Sequence, residues 1–413
     1  MKRLDSFLNK NNILNEHQYG FRYNCSTTLA VMEFVEHIAA AVDQKLNTVG
    51  VFIDLCKAFD TIDHARLLGK CELYGLRGVA YQWLKSYLAN RLQYVQINNT
   101  KSQTDMVKCG LPQGSVLGPK LFILYLNDIF AVSSLLKFVM FADDTNFFFS
   151  GKNMDEIIKT VEKGLAELKT WFDYNKLLLN EGKTKFMVFS GNRNYNNVKL
   201  CINGVEIERV YETKFLGIII DNKLSWKPHI GYIRNKVAKT IGILFKIKDL
   251  INVKGLHVIY SSLVMPYLSY CSEIWGNASK TTIDILVKLQ KKAIRVINKV
   301  GYREPTDKLF IQSKILKFKD IVYTKILEIM YKALNKSLPS GIQKLFKLRE
   351  NKYNLRGLFI FECAKEKSQI KSRCVSVIGV KLWNELNDDL KLCPFLVNFK
   401  RALKCKMIKS YVM

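Results

Sequence analysis

The chain has 413 residues, 48% of them hydrophobic, which is enough to bury sizeable cores and points to two or three domains. A formal net charge of +28 favours a polyanionic partner, nucleic acid before a membrane surface. No uninterrupted apolar run is long enough to span a bilayer, and the first twelve residues lack the apolar core of a signal peptide. The ten cysteines form no C-x-x-C pair and the five histidines are dispersed, so neither a disulfide framework nor a zinc knuckle is expected. The expectation is an intracellular, soluble protein with reduced, mostly buried cysteines.

In chain order, Gln18-Tyr19-Gly20-Phe21-Arg22 leads into a helix expected over Ser26–Gln44. Val49–Ile53 reads as a buried strand ending on Asp54, with a helix-like segment from Lys57 onward. Helical spacing then covers Thr61–Tyr74 and Val79–Ala89, and strands are expected at Gln93–Ile97 and Asp105–Cys109. A Gly- and Pro-punctuated loop, Gly110 to Pro119, opens a helix over Leu117–Phe130. Leu136–Phe141 and Asn146–Phe149 flank Asp143-Asp144 as a hairpin with acids at its turn. A helix over Met154–Asn175 and a strand over Lys185–Phe189 follow, and the polar run Gly191–Asn197 is a boundary candidate. This order predicts a mixed α/β (α+β) first half with helices on one face of a sheet, and a mainly helical remainder.

Two ionised carboxylates as close as Asp143 and Asp144 raise each other's pKa. A divalent cation removes that cost, and metals about 3.5–4 Å apart serve in-line nucleotidyl transfer. The alternative is a plain solvated turn. Asp54, at the end of a buried strand, either faces those acids from a neighbouring strand or caps the next helix. Asp60 and Asp63 read as helix-start or structural acids. The 110–119 loop either brings backbone N–H groups and a side-chain amide to a ligand or is an ordinary strand-to-helix turn. Further on, Ile230, Ile233, Val237, Ile241 and Leu244 form one apolar stripe, with Arg234, Lys236, Lys239 and Lys246 largely off it. Lys288, Lys291, Lys292, Arg295 and Lys299 form a second basic region. Both present cations to phosphates or are solvated faces of core helices. Tyr270 and Trp275 read as core residues rather than base-stacking platforms.

Taken in order, these stretches resemble the fingers and palm of reverse transcriptases, specifically those of jockey-type non-LTR retrotransposons. The segment around Asp54 resembles motif A, Leu111-Pro112-Gln113-Gly114-Ser115 motif B, and Phe141-Ala142-Asp143-Asp144 motif C. Asn180-Glu181-Gly182-Lys183-Thr184 is similar to motif D, and Phe215-Leu216-Gly217-Ile218 to the motif E hairpin that grips the primer. Gln18 to Arg22 with Ser26-Thr27-Thr28 resembles a fingers motif. Stretches around Tyr270–Gly276 and Leu289–Arg295 are similar to the tail of the same group.

The resemblance implies a right-hand polymerase: fingers and palm over 1–190, primer-grip hairpin and thumb start over 191–250, and a helical basic region over 251–413. It implies RNA-directed DNA synthesis from dNTPs on a primer 3′-hydroxyl, with an RNA template and a DNA primer as partners. Asp54, Asp143 and Asp144 would hold two Mg²⁺ ions, with Mn²⁺ as a substitute, although adjacent strand residues such as Asp143 and Asp144 point to opposite sides. Phe59 matches the position that excludes a ribose 2′-hydroxyl. Gln113 and Gly114 would lie under the incoming nucleotide, with Lys183 and Arg22 contacting phosphate. Phe215, Leu216, Gly217, Lys236, Lys239, Lys288, Lys291, Lys292 and Arg295 would contact nucleic acid. The nucleus is the expected compartment. The family's earlier fingers motif and its endonuclease domain are expected to be missing, and no RNase H signature follows. Cys56 stands where a small hydroxyl residue is common, and Tyr23-Asn24-Cys25 where a further basic residue is. A catalytically weak remnant that only binds nucleic acid is the second reading. An RNA-directed RNA polymerase is the third, and Phe59 argues against it.

Overall fold

Packing of the apolar runs divides the chain into two compact units, Met1–Ala30 with Leu46–Val210, and Val31–Lys45 with Tyr211–Met413. The computed structural model describes residues 2–191, 195, 197–202, 204–349 and 359–411. The expected boundary at 191–197 lies partly outside the described residues, and the units separate at 210/211 instead. The reason is local: Lys185 and Phe186 still pair in parallel with Glu208 and Arg209. The hairpin and basic helix expected as a separate 191–250 segment group with the C-terminal helices.

The first unit opens with a helix that the sequence reading did not anticipate, α1 (Lys2–Lys10), followed by the start of α2 (Thr27–Asp43). Then come β1 (Asn47–Ile53), α3 (His64–Leu73), α4 (Gly78–Leu88) and α5 (Gly118–Tyr125). After these lie β2 (Lys137–Phe141), β3 (Asp144–Gly151), α6 (Met154–Tyr174), β4 (Lys185–Phe189) and β5 (Glu208–Arg209). The sheet order is β5-β4-β1-β3-β2, antiparallel except for the β4–β5 pair. β1 is central and buried at every position, in keeping with its Val49, Val51, Phe52 and Ile53. Its register pairs Val49 with Phe149, Val51 with Phe147 and Ile53 with Thr145. Because side chains alternate along a strand, the three β1 residues share one face. There they join a core that includes Leu121 of α5 and Val161, Leu165 and Leu168 of α6. Each such fully buried side chain contributes roughly 1.5–3 kcal/mol. Asn153 starts α6 by accepting the Asp155 N–H, and Asp155 and Glu156 complement its N-terminal dipole.

Several local expectations change. The helix read from Lys57 does not begin there, because Lys57 adopts φ +46° and turns the chain. α3 starts at His64 instead, and its cap is Asp63, whose carboxylate accepts the Arg66 N–H at 2.9 Å. Capping was the competing role for Asp54, and Asp63 fills it. The strand expected over Gln93–Ile97 breaks into two exposed pairs of residues, and Asp105–Cys109 keeps only Asp105–Met106 plus a bridge from Cys109 to Asp63. Without a buried face, nothing fixes a longer register there.

The second unit begins with the C-terminal part of α2 and the hairpin β6 (Glu212–Phe215) and β7 (Ile218–Asp221). Its longer helices are α7 (Lys227–Ile247), α8 (Val253–Leu263), α9 (Lys280–Ile297), α10 (Phe318–Leu334), α11 (Val375–Asn384) and α12 (Leu396–Lys409). α7 packs on β7 and α9, and α10 packs on α11 and α12. The turn into α7 is organised by buried Asp221, whose carboxylate accepts the N–H groups of Lys223, Ser225 and Trp226. Trp275 is fully buried and stacks on Phe318, whereas Tyr270, also expected in the core, is 41% exposed. The ten cysteines are unpaired, but only Cys71, Cys271 and Cys374 are buried, so the expectation of mostly buried cysteines fails. Among the described residues, no helix is long and apolar enough to cross a membrane.

Candidate active site

β1 runs out at Ile53 opposite Thr145, and continuing that antiparallel register by one residue sets Asp54 opposite Asp144. β2 and β3 are joined by a two-residue turn, Ala142-Asp143, closed by the Phe141–Asp144 pair. Three carboxylates thus come to one end of two adjoining strand pairs. Their electrostatics report the proximity: the Asp144 carboxyl is pushed up to about 6, first by desolvation and then by the charges of Asp143 and Asp54.

A second loop closes on Asp54. Leu178–Leu179 pairs with Leu55–Cys56 and delivers Asn180 to the acid. The Asn180 backbone N–H donates to the Asp54 carbonyl at 2.9 Å, and its Nδ2 donates to Asp54 Oδ2 at 3.1 Å. Lys183 Nζ lies 3.8 Å from the same oxygen. The N–H groups of Lys183 and Thr184 close the loop on the Asn180 carbonyl, at 3.1 and 2.9 Å.

The 110–119 loop is stitched to the segment after Asp54. Gly110 N–H donates to Ile62 O and Leu111 N–H to Phe59 O, each at 2.8 Å. Gly110 has φ +85°, and a Cβ there would stand 2.7 Å from the Asp60 carbonyl oxygen, so only glycine allows the approach. Gln113 Nε2 donates to Asp60 Oδ1 at 2.8 Å, and exposed Gly114 adjoins open space. Ser115 Oγ accepts the Gly118 N–H and starts α5. Phe59 is half-buried and stacked on Phe122, ring centroids 4.0 Å apart.

Residues 1–220 match the family described as reverse transcriptase (RNA-dependent DNA polymerase). This chain belongs to that family. Similar proteins include the probable RNA-directed DNA polymerase from transposon BS of Drosophila melanogaster, 29% identical over 311 residues, covering 73% of this chain and 34% of the relative. The RNA-directed DNA polymerase from mobile element jockey of the same organism is 28% identical over 292 residues, covering 68% and 32%. The chain therefore spans about a third of the length of these relatives. Among solved structures, the apo telomerase from Candida tropicalis aligns with 81% of this chain and 58% of its own, at 15% identity and a TM-score of 0.41.

The remaining residues expected at functional positions fall into two groups, those put to structural use and those left accessible. Arg22 is put to a different use from phosphate contact, because its guanidinium donates to the backbone carbonyls of Asn15 and Gln18 and braces that loop. Phe215 is buried, which makes it a core residue rather than a nucleic-acid contact. The motif E turn itself is the accessible part: Leu216 and Gly217 have φ +45° and +83°, and the Tyr270 hydroxyl holds the Leu216 carbonyl at 2.7 Å. On α7 the predicted apolar stripe is buried throughout, and Lys236 and Lys239 are exposed. Arg234, Lys288, Lys291, Lys292 and Arg295 line an open concavity of about 370 Å³, with Ile285, Leu289 and Tyr302. Sequence reasoning missed two side chains that bond to the acids' segments, Asn180 to Asp54 and Gln18 to the Ala142 backbone. Asn180 carried a signal, since it opens the motif D stretch. Gln18 carried one only as part of the fingers stretch.

The donors at the acidic site are all carboxylate oxygens, which suit hard divalent cations such as Mg²⁺ and Mn²⁺. Among the described residues, no three His, Cys, Asp or Glu side chains are drawn tightly enough to hold a metal alone. Mg²⁺ is ordinarily held by one or two carboxylates together with substrate phosphates and waters, so an open set of acids fits it. Desolvation and then the charges of Asp143 and Asp54 raise the Asp144 carboxyl, and a bound cation would offset that cost.

Proposed function

We propose that this chain is an RNA-directed DNA polymerase that adds dNTPs to a primer 3′-hydroxyl on an RNA template. The observation that carries this reading is the placing of Asp54 opposite Asp144 at one sheet end with Asp143 in the adjoining turn, where desolvation and then the charges of Asp143 and Asp54 raise the Asp144 carboxyl. Asp54 and Asp143 would hold two divalent ions, with Asp144 beside them. When bound, the ions lower the pKa of the attacking hydroxyl and neutralise the triphosphate. The chain's own residues do the rest. Asn180 fixes the Asp54 carboxylate, and Lys183, exposed and near Asp54, meets the triphosphate as a mobile cation. Phe59, held flat on Phe122, presents a rigid ring against a 2′-hydroxyl. Gln113, oriented by Asp60, and open Gly114 form the floor for the incoming nucleotide. Lys236, Lys239 and the Lys288–Arg295 region track the primer–template backbone by charge, which needs no base recognition.

The test is Mg²⁺- or Mn²⁺-dependent primer extension on an RNA template, with dNTPs compared with NTPs. Extension that needs the metal and prefers dNTPs supports the reading. Nucleic-acid binding without any extension points to the non-catalytic remnant, and equal or better use of NTPs points to an RNA polymerase.

A further inference from the structure

The acidic turn is not self-supporting. Ala142, the residue before Asp143, is buried and has φ +56°, a left-handed conformation that a side chain bearing a Cβ adopts only at a cost. Something outside the hairpin has to hold it. The neighbouring segment lies alongside β2 as an extra, parallel bridge: Tyr19 N–H donates to Met140 O at 2.8 Å, and Met140 N–H to His17 O at 3.0 Å. From that segment Gln18, 1% exposed, reaches the turn. Its Oε1 accepts the Ala142 N–H at 3.0 Å and the Gly20 N–H at 2.7 Å, while its Nε2 reaches the Ala142 carbonyl at 3.4 Å. Gly20 permits the approach, because a Cβ there would stand 2.3 Å from the Ala142 nitrogen. Arg22 fixes the carbonyl of Gln18 itself.

We propose that Gln18 is a positioning residue of the polymerase site: its side-chain amide locks the backbone on both sides of Ala142 and thereby sets the direction in which Asp143 and Asp144 leave the turn. This rests on the reading of those acids as catalytic. A buried amide that bonds both the N–H and the C=O of one residue ties together the two peptide groups that flank it and opposes rotation about that residue's φ and ψ. Losing it leaves buried backbone groups without partners. Misplacing a reacting group by about 1 Å can lower a rate on the order of 10²-fold. No other side chain in the described hydrogen bonds of Ala142 has this role.

The experiment uses the full chain, with Gln18→Met to keep side-chain volume, Ala142→Gly, and the two combined. Three readouts are taken: single-nucleotide kcat, primer–template Kd by anisotropy, and hydrogen exchange at the Ala142 and Gly20 amides. In the parent, both amides exchange slowly. Gln18→Met is expected to release the Ala142 amide and lower kcat on the order of 10²-fold, with Kd changed less than twofold. Adding Ala142→Gly should restore at least a tenth of the parental kcat, because glycine adopts the left-handed conformation without the clamp. An Ala142 amide that exchanges freely in the parent overturns the clamp without any variant. An unchanged kcat in Gln18→Met overturns the positioning role, and so does a loss that Ala142→Gly leaves untouched. A parent chain that extends no primer counts against the polymerase reading instead. The exchange data then decide the clamp alone: protection lost in Gln18→Met supports it, and protection kept overturns it.

Discussion

The acids of the first unit and the cations of the second are organised on opposite principles. Asp54, Asp143 and Asp144 are brought together against their own repulsion, and backbone pairing, Asn180 and Gln18 hold them there. Lys236, Lys239, Lys288 and Lys292 stand on exposed faces of helices whose opposite faces make the core. Chemistry at a phosphate depends on fixed direction, whereas attraction to a backbone depends mainly on how many charges are present. Single changes should therefore be severe in the first region and graded in the second.

The sharpest break in that comparison comes from Asp54→Asn or Asp143→Asn. Either is expected to abolish primer extension with folding intact, measured by extension beside circular dichroism; retained extension would remove the acids from catalysis. Asn180→Ala keeps every carboxylate but loosens Asp54, and should cost about 10–100-fold in kcat, as for outer-shell partners of metal ligands. If kcat is unchanged, the 3.1 Å contact is incidental. Phe59→Ala is expected to shift incorporation toward NTPs in an otherwise active enzyme, and an unmoved dNTP/NTP ratio would place sugar selection elsewhere. Mildest of all, replacing Lys236 and Lys239 together with Gln should lower the log–log salt slope of binding by about two units, close to one per phosphate contact. Products should shorten while single-nucleotide addition stays nearly parental. An unchanged slope would make these lysines only solvated charge.

Much of this contrast was legible in the sequence because it rests on period and order. The Val49–Ile53 run, the apolar stretches around Asp143-Asp144 and the stripe from Ile230 to Leu244 each bury the face their spacing indicates. The parts that were not legible depend on contacts between distant residues. Gln18 meets Ala142 across 124 positions and Asn180 meets Asp54 across 126, and no local pattern encodes either pairing. Arg22 reads as a free cation until its carbonyl partners are placed around it. Phe215 reads as part of an exposed grip, yet it lies on the inward face of its strand, while Gly217, in the turn beyond the strand end, stays at the surface. The false helix start at Lys57 has the same origin, since residues 59 and 62 give their carbonyls to the 110–111 backbone rather than to a helical turn.

The convergence of the three acids is tested most directly by thermal stability against pH, with and without Mg²⁺, for the parent and Asp144→Asn. Folding raises the Asp144 carboxyl from 3.8 to about 6, so the protonated form is favoured in the folded chain. That contribution to stability is full below about pH 4 and is lost as pH rises through about 6. After allowance for solvent screening the loss is on the order of 1 kcal/mol. The metal-free parent should therefore lose stability across that window and recover it above pH 6 when Mg²⁺ is added. Asp144→Asn should show neither the loss nor the full recovery. Superimposable pH profiles for the two chains, unaffected by Mg²⁺, would mean that the acids do not act on one another and that the site described here does not exist.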